Sequence, residues 1–226
     1  VTNLHGIHGA PVSEAAIASM LLLSRRMHHS VRAQDKRQWG RWPATLLHDK
    51  TVGILGVGAI AEALAPRCKA FGMKVVGISS SVREVAGFDE MRLRDPLADA
   101  VRDLDYLVLL TPLTPATRGI VDANVLAAMK PTSHLVNLAR GGVVDETALA
   151  ETLQQRGIAG AAIDVFLQEP LPPEHPFWDL DNTFLTPHLG GFCDVYVDHA
   201  MPVIETNMRA FLAGDVGRMV KVVRAG

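Results

Sequence analysis

This chain of 226 residues has few cysteines and no long apolar run. Its positive and negative charges are nearly balanced. Its two cysteines, Cys68 and Cys193, fit neither a disulfide framework nor a paired metal motif, which indicates a reducing compartment and predicts a cytoplasmic protein. The most apolar stretch, residues 15–23, is far shorter than the roughly 20 residues that cross a bilayer. No signal-peptide pattern precedes it. The composition therefore argues against a membrane-spanning protein and against a fold stabilised by disulfide bonds.

Charge and histidine spacing also exclude some partners. Basic side chains number 22 and acidic ones 24, for a net charge of -2, and no basic block is present, so nucleic acid is not an expected partner. Most histidines lack ligand spacing with nearby acids or cysteines, so we predict no metal and interpret these side chains as surface or packing residues. They are His5, His8, His28, His29, His48, His134, His175 and His199.

Six short apolar runs alternate with helical patterns along the chain. The runs predict strands at 51–55, 74–79, 106–110, 134–138, 160–164 and 183–186. Helices are predicted at 11–27, 59–71, 96–102, 123–129, 146–155 and 195–212, with a connecting loop at 28–43. Strands that are apolar throughout and joined by helices are typical of a parallel sheet covered on both faces. We therefore predict an α/β fold with a doubly wound parallel sheet, the Rossmann arrangement.

A glycine-rich turn follows the first predicted strand. Residues 53–61 read Gly-Ile-Leu-Gly-Val-Gly-Ala-Ile-Ala and contain the spacing Gly-x-Gly-x-x-Gly/Ala at the start of a helix. The first glycine of this motif allows a tight turn, and the second lets the backbone approach a pyrophosphate at the helix N-terminus. The context favours a dinucleotide site over a plain glycine-rich turn. The predicted contacts are Gly56, Gly58, Ala59 and Ile60.

Three charged side chains, Arg140, Glu169 and His188, come just after three of the later strands. The carboxyl ends of parallel strands meet at the edge where open α/β sheets bind ligands. The arginine fork can hold a carboxylate, and an imidazole beside a carboxylate can move a proton. We predict that all three are catalytic. The alternatives are a solvated loop cation, a surface carboxylate and a backbone-bonded histidine.

Three segments, 137–142 (Asn-Leu-Ala-Arg-Gly-Gly), 164–170 (Asp-Val-Phe to Glu-Pro) and 186–191 (Thr-Pro-His-Leu-Gly-Gly), together resemble the D-isomer-specific 2-hydroxyacid dehydrogenases. The resemblance runs from residue 3 to about residue 214 and is to members of the glyoxylate/hydroxypyruvate reductase or phosphoglycerate dehydrogenase type. It implies an NAD(P)-dependent oxidoreductase of two domains acting on a small 2-oxo or 2-hydroxy acid. Most of the substrate domain is then absent, and because the chain begins at Val1 we expect part of a longer product.

The resemblance also implies how this chain is organised around its cofactor. We predict one dinucleotide-binding domain over 1–226, with a leading helix and connecting loop (1–50), a Rossmann core (51–190) and a C-terminal helix and tail (191–226). Asp164 is implied to lie at the nicotinamide end, although it could instead cap a loop. The cofactor contacts that the resemblance implies are Thr111, Leu138, Ala139, Asp164, His188 and Gly190.

The end of the second strand departs from the family pattern. Members commonly carry an aspartate there for the adenosine ribose, whereas this chain has Ser79, Ser80 and, a little further on, Arg83. Hydroxyl groups and a cation can receive a 2'-phosphate, so NADP is favoured over NAD. Glu169 stands where formate dehydrogenases of this fold usually carry glutamine, which argues against that chemistry.

A non-catalytic, NAD(H)-sensing binding protein resembling the C-terminal-binding corepressors could keep the same three charged residues, and the chain could also be only a cofactor-binding fragment. The helix over 13–27 carries more apolar surface than one exposed face needs, and in the family this region joins two subunits. A homodimer is therefore predicted, with burial of the helix in its own domain as the alternative. The particular 2-hydroxy acid is left open.

Overall fold

A sheet of seven parallel strands forms the centre of the molecule, in the order β3-β2-β1-β4-β5-β6-β7. The structure is a computed structural model and describes residues 1–4 and 6–223, so His5 lies outside the described residues. The strands are β1 Thr51–Leu55, β2 Lys74–Ser79, β3 Glu90–Leu93, β4 Tyr106–Leu109, β5 His134–Asn137, β6 Gly160–Ile163 and β7 Thr183–Leu185. This order confirms the predicted doubly wound sheet.

Helices cover both faces of the sheet. They are α1 Gly9–Arg25, α2 Met27–Asp35, α3 Ala59–Ala70, α4 Leu97–Ala100, α5 Ala123–Ala128, α6 Glu146–Gln154 and α7 Tyr196–Leu212. Met20 of α1 and Leu64 of α3 are buried in one core cluster. Leu97, Leu126 and Leu149 of α4, α5 and α6 lie in the cluster on the other side. Because both faces are covered, the central strands are apolar throughout, which is why their pattern could be identified from sequence.

The seventh strand, β3, was not predicted. Glu90–Leu93 lies at the edge of the sheet, beside β2, and has no residue that is fully buried. Glu90 pairs with Lys74 of β2 at 2.8 Å, and Arg92 pairs with Asp103 beyond α4. Backbone pairing and ion pairs hold this strand rather than apolar burial, so a search for apolar runs does not detect it.

The predicted loop over 28–43 is wrong in its first part, because α2 occupies Met27–Asp35. Arg26 has a left-handed backbone (φ 52°) that ends α1 and lets the chain turn before α2 begins. His28 is the buried residue of this short, polar helix, which has no side-chain N-cap. The polar, basic composition of this segment, with Trp39 and Trp42, is what predicts a loop, and irregular backbone begins only after Asp35.

Helix α1 packs on α3, and its larger apolar side chains are buried or half-buried. Ala16, Met20 and Leu23 belong to the core cluster that includes Leu64 and Val52. Ile17, Leu21 and Leu22 are only half-buried, so the helix is not wholly buried in its own domain. The predicted homodimer stays a prediction.

Candidate active site

The glycine turn after β1 lies where the strand order reverses, between β1 and β4. Gly56 has φ 98°, and a Cβ atom there would lie 2.6 Å from the backbone of Thr111 after β4, so both conformation and space require glycine. Gly58 directly precedes α3, and a Cβ at this position would meet nothing within 4 Å. The open space above the start of α3 fits the backbone approach of a pyrophosphate.

A cavity of about 680 Å³ opens at this turn and extends over the carboxyl ends of β1, β4 and β5. It brings together seven of the predicted cofactor residues with Arg140. The predicted residues that line it are Gly56, Gly58, Ala59, Ile60, Thr111, Leu138 and Ala139. The size and the glycine cradle fit a dinucleotide, and the pyrophosphate would be held by the turn and the first residues of α3.

The residues predicted for the ribose end lie apart from that cavity. Ser79 ends β2, and its hydroxyl donates to the carbonyl oxygen of Ser81. The Arg83 guanidinium lies 3.7 Å from the carboxylate of Glu62 in the first turn of α3, and both side chains are at least half exposed. The sequence reasoning missed Glu62, whose carboxylate partly neutralises the cation that was predicted to receive a phosphate.

Glu169 and His188 form a hydrogen-bonded pair. The Nδ1 atom of His188 lies 2.7 Å from Oε2 of Glu169, and Oε1 of Glu169 accepts the backbone N–H of Phe166 at 2.9 Å. Burial alone would raise the pKa of Glu169, but the hydrogen bonds from His188 and Phe166 outweigh it, so this pKa lies below its usual range. The carboxylate is thus held ionised and fixes the orientation of the imidazole, which leaves Nε2 as the free ring nitrogen.

Arg140 and His188 line the same cavity of about 330 Å³, next to the dinucleotide cavity. The Arg140 guanidinium donates to the carbonyl oxygen of Ala139 at 2.5 Å, and Arg140 also lines the larger cavity. The side-chain oxygen of Asn137 accepts the backbone N–H of Ala139 at 3.1 Å and so fixes the turn that carries the arginine. An arginine and a histidine therefore face one space beside the cofactor cradle.

Asp164 is only 3% exposed and organises the loop that carries His188. Its Oδ1 and Oδ2 atoms accept the backbone N–H groups of Leu189 at 2.8 Å and Gly190 at 2.9 Å, and Thr186 also donates to Oδ1. His188 itself has a left-handed backbone, with φ 55°. This is the loop-capping arrangement that the sequence offered as the alternative for Asp164. Asp164 and Gly190 also line the 330 Å³ cavity, and their predicted contact with the nicotinamide stays a prediction.

His8 was interpreted as a surface or packing residue, and that interpretation is incomplete. It is half-buried, lines both cavities and lies with its ring centroid 5.8 Å from that of Tyr196. Burial lowers the pKa of His8, and the positive charge of Arg140 lowers it further. No local spacing signal could have found it, because the chain just before α1 reaches the loop after His188 only in the folded protein.

Within residues 1–4 and 6–223, no three histidine, cysteine or acidic side chains are grouped so that they could hold a metal ion. No described helix combines the length and the apolarity needed to cross a membrane.

A phosphate cradle at the switch point of a parallel sheet, beside a histidine–carboxylate pair, places the molecule among the dinucleotide-binding domains of oxidoreductases. Residues 17–190 match the family model for the D-isomer specific 2-hydroxyacid dehydrogenase, NAD binding domain. The chain belongs to this family, as the resemblance of its motifs predicted.

Relatives with curated names agree with this assignment. The chain is 33% identical over 223 residues to a D-3-phosphoglycerate dehydrogenase of Methanocaldococcus jannaschii, covering 97% of this chain and 42% of that protein. It is 34% identical over 225 residues to a glyoxylate reductase of Pyrococcus horikoshii, covering 96% of this chain and 67% of the relative. The sequence thus spans about two fifths to two thirds of the length of these relatives and carries the dinucleotide-binding fold.

Solved structures give the same result. A D-isomer specific 2-hydroxyacid dehydrogenase from Xanthobacter autotrophicus Py2, in complex with NADPH and MES, superposes with a TM-score of 0.85 at 31% identity, covering 99% of this chain and 91% of that one. An NADPH-dependent glyoxylate/hydroxypyruvate reductase from Sinorhizobium meliloti, in complex with NADP and sulfate, has a TM-score of 0.81 at 32% identity, with 95% and 68% covered.

Proposed function

We propose that this protein transfers a hydride between a nicotinamide cofactor and a small 2-oxo or 2-hydroxy acid. The observation that carries the proposal is the His188–Glu169 pair, with 2.7 Å between Nδ1 and Oε2, in a loop whose histidine shares a cavity with Arg140. That cavity adjoins the glycine cradle of the dinucleotide site. An acid–base group, a carboxylate-binding cation and a cofactor cradle are the parts that reduction of a 2-oxo acid needs.

In the reductive direction the reduced nicotinamide, when bound, supplies the hydride. Arg140 binds the substrate carboxylate and polarises the neighbouring carbonyl with its planar guanidinium. Protonated His188 donates its Nε2 proton to the carbonyl oxygen, so that the 2-oxo acid becomes a 2-hydroxy acid and the imidazole becomes neutral. Glu169 stabilises the protonated ring through Nδ1. In the oxidative direction the neutral imidazole takes the hydroxyl proton at Nε2.

A turnover assay tests this function. Glyoxylate, hydroxypyruvate and pyruvate would each be offered with NADPH and with NADH, to the chain and, where its gene encodes a longer product, to that product. We expect 2-oxo-acid-dependent oxidation of the reduced cofactor, and glyoxylate is tried first because relatives are named glyoxylate reductases. Tight cofactor binding without turnover of any 2-oxo acid would contradict the proposal and favour a non-catalytic, NAD(H)-sensing binding protein.

For the cofactor we propose a preference for NADP(H) over NAD(H). Ser79 ends β2 without a negative charge, Ser80 follows it, and Arg83 comes in the loop just after this strand. A 2'-phosphate would compete with Glu62 for Arg83, now 3.7 Å apart, and a charge-assisted bond to phosphate is the stronger contact. Two of the similar structures are described as complexes with NADPH or NADP, which supports the preference.

Arg83→Ala tests the preference. Removing the cation should raise the Kd for NADPH about tenfold while leaving the Kd for NADH nearly unchanged, because only the former carries the 2'-phosphate. Cofactor fluorescence measures both constants. Arg102→Ala, an exposed arginine elsewhere on the surface, serves as the control. Equal weakening of both cofactors by Arg83→Ala would assign the arginine to folding, and tighter binding of NADH by the unmodified chain would reject the preference.

We propose that residues 1–226 act as one dinucleotide-binding domain, that the protein is cytoplasmic, and that it forms a homodimer. The exposed apolar side chains of α7, among them Ile204, Met208 and Phe211, supply surface for subunit contact. Sedimentation at micromolar concentration measures the oligomeric state, and a monomer there would reject the homodimer.

A further inference from the structure

A separate cavity lies at the amino edge of the sheet, opposite the candidate active site. It has a volume of about 450 Å³ and is lined by residues that precede or begin β5, β6 and β7, including Thr132, Gly160 and Asn182. The first turn of α2 closes it from the side through Arg26, His28 and His29. None of the proposed catalytic or cofactor residues takes part in it.

Two polar atoms in the wall of this cavity are buried without a hydrogen-bond partner. Among residues 1–4 and 6–223, only three side-chain nitrogen or oxygen atoms are in that condition, and two of them are Nδ1 of His28 and Oδ1 of Asn182. His28 is 9% exposed and Asn182 is 5% exposed. The amide nitrogen of Asn182 donates to the carbonyl oxygen of Leu153 at 3.1 Å, and its Oδ1 atom is left as an unpaired acceptor in a residue that lines the cavity. A buried polar atom without a partner costs free energy, which a bound group can recover.

The charges around the cavity favour an anion. Arg26 is the N-cap of α2, and because a guanidinium cannot accept from the first-turn amides, no side chain caps them; the first turn of this nine-residue helix also has no acidic side chain. Within the described residues Arg26 has no carboxylate within ion-pair distance, whereas Arg156 is paired with Asp181 and Arg32 donates to the backbone carbonyl of Asp181. Two arginines, Arg26 and Arg156, and one carboxylate, that of Asp181, therefore line the cavity, beside the amino end of α2.

We propose that this cavity binds a small oxyanion that retains an O–H group at neutral pH, of which hydrogenphosphate is the simplest. The anionic oxygens would accept hydrogen bonds from Arg26 and from the first turn of α2. The O–H group would donate to the Oδ1 atom of Asn182, and His28 would bond to a further oxygen or hydroxyl through Nδ1. Sulfate has the same shape but no O–H at neutral pH, so it would leave Asn182 without a partner.

Inorganic phosphate, titrated into the isotope-labelled chain and followed by NMR, tests the proposal without any turnover. We expect saturable shifts at the amides of Thr132, Gly160 and Asn182, on the edge opposite Gly58 and Ile60 of the dinucleotide cradle. Sulfate should bind at least about tenfold more weakly, because it leaves one buried acceptor unpaired. Shifts confined to Gly58 and Ile60, or equal binding of sulfate, would overturn the proposal.

A matched pair of variants tests whether the positive charge of Arg26 binds the phosphate. Arg26→Gln should weaken phosphate binding about tenfold, since it removes a charge-assisted bond. Arg25→Gln, which makes the same change one residue earlier at a side chain that does not line the cavity, should leave binding unchanged. Both side chains are exposed, so both variants should fold. Equal effects of the two substitutions would show a non-specific charge effect and would reject the site.

Discussion

Histidines lie at both edges of the sheet, but their surroundings differ. At the carboxyl edge His188 is 47% exposed at its side chain and is bonded to an ionised carboxylate. At the amino edge His28 and His134 lack such a partner, and burial lowers the pKa of each to about 4. A histidine that is to exchange protons near neutral pH needs solvent or substrate access and a counter-charge, whereas a buried one stays neutral. Environment, and not residue type, thus separates the proposed catalytic histidine from the others.

The largest expected difference between the two edges is in turnover. His188→Gln should lower kcat/KM for 2-oxo acid reduction by about a hundredfold or more, since it removes the proton donor. Cofactor affinity should change little, because His188 does not line the glycine cradle. Steady-state kinetics and cofactor fluorescence measure the two quantities. His134→Gln at the amino edge is the control, and a comparable loss there would contradict the assignment.

Asp164→Asn should have the next largest effect. The substitution replaces one carboxylate oxygen, which now accepts a backbone N–H, by an NH₂ group that cannot accept. We expect a loss of about 1–3 kcal/mol in the free energy of unfolding and a reduced kcat, as the loop carrying His188 loses its anchor. Denaturant unfolding and kinetics test this together. Asp194→Asn, in the exposed loop just beyond, is the matched control, and unchanged stability in Asp164→Asn would contradict the capping role.

Glu169→Gln should mainly move the pH dependence of catalysis. The neutral amide stabilises a protonated imidazole less than the carboxylate does, so the pH profile of reduction should shift towards lower pH. The profile of kcat/KM against pH reports this shift, which a purely structural role for Glu169 would not produce. Full activity with an unmoved profile would remove Glu169 from the mechanism.

The smallest effect concerns stability at the amino edge. Because the pKa of His134 is about 4 when folded and near 6.5 when unfolded, the unfolded state binds more protons between these values. The contribution of neutral His134 to the free energy of unfolding should therefore be complete above about pH 6.5. It should fall as the pH is lowered towards about 4. His134→Gln should flatten this dependence in denaturant titrations, whereas substitution of the exposed His48 should not. An unchanged slope in His134→Gln would contradict the burial of a neutral ring.

Sequence reasoning succeeded where the signal was local. Apolar runs located six strands, and the glycine spacing located the cradle, because a turn that needs φ 98° at Gly56 and open space at Gly58 restricts the residue type directly. The same reasoning missed β3 and α2. Their stability comes from ion pairs at a sheet edge and from packing of one buried histidine, neither of which leaves a periodic apolar pattern.

The sequence by itself determined the α/β order of elements, the dinucleotide motif and the three charged residues at strand ends, since each depends on neighbours close in the chain. Only the tertiary structure decided the partners of those residues. In the folded protein His8, which precedes α1, lines the same cavity as Arg140. Asp164 accepts hydrogen bonds from the loop that carries His188, and Glu62 lies beside Arg83. It also gathered His28, Asn182 and Arg26 into one cavity at the opposite edge. Such contacts join segments far apart in sequence, so they are fixed by how the helices and strands pack and not by any local pattern.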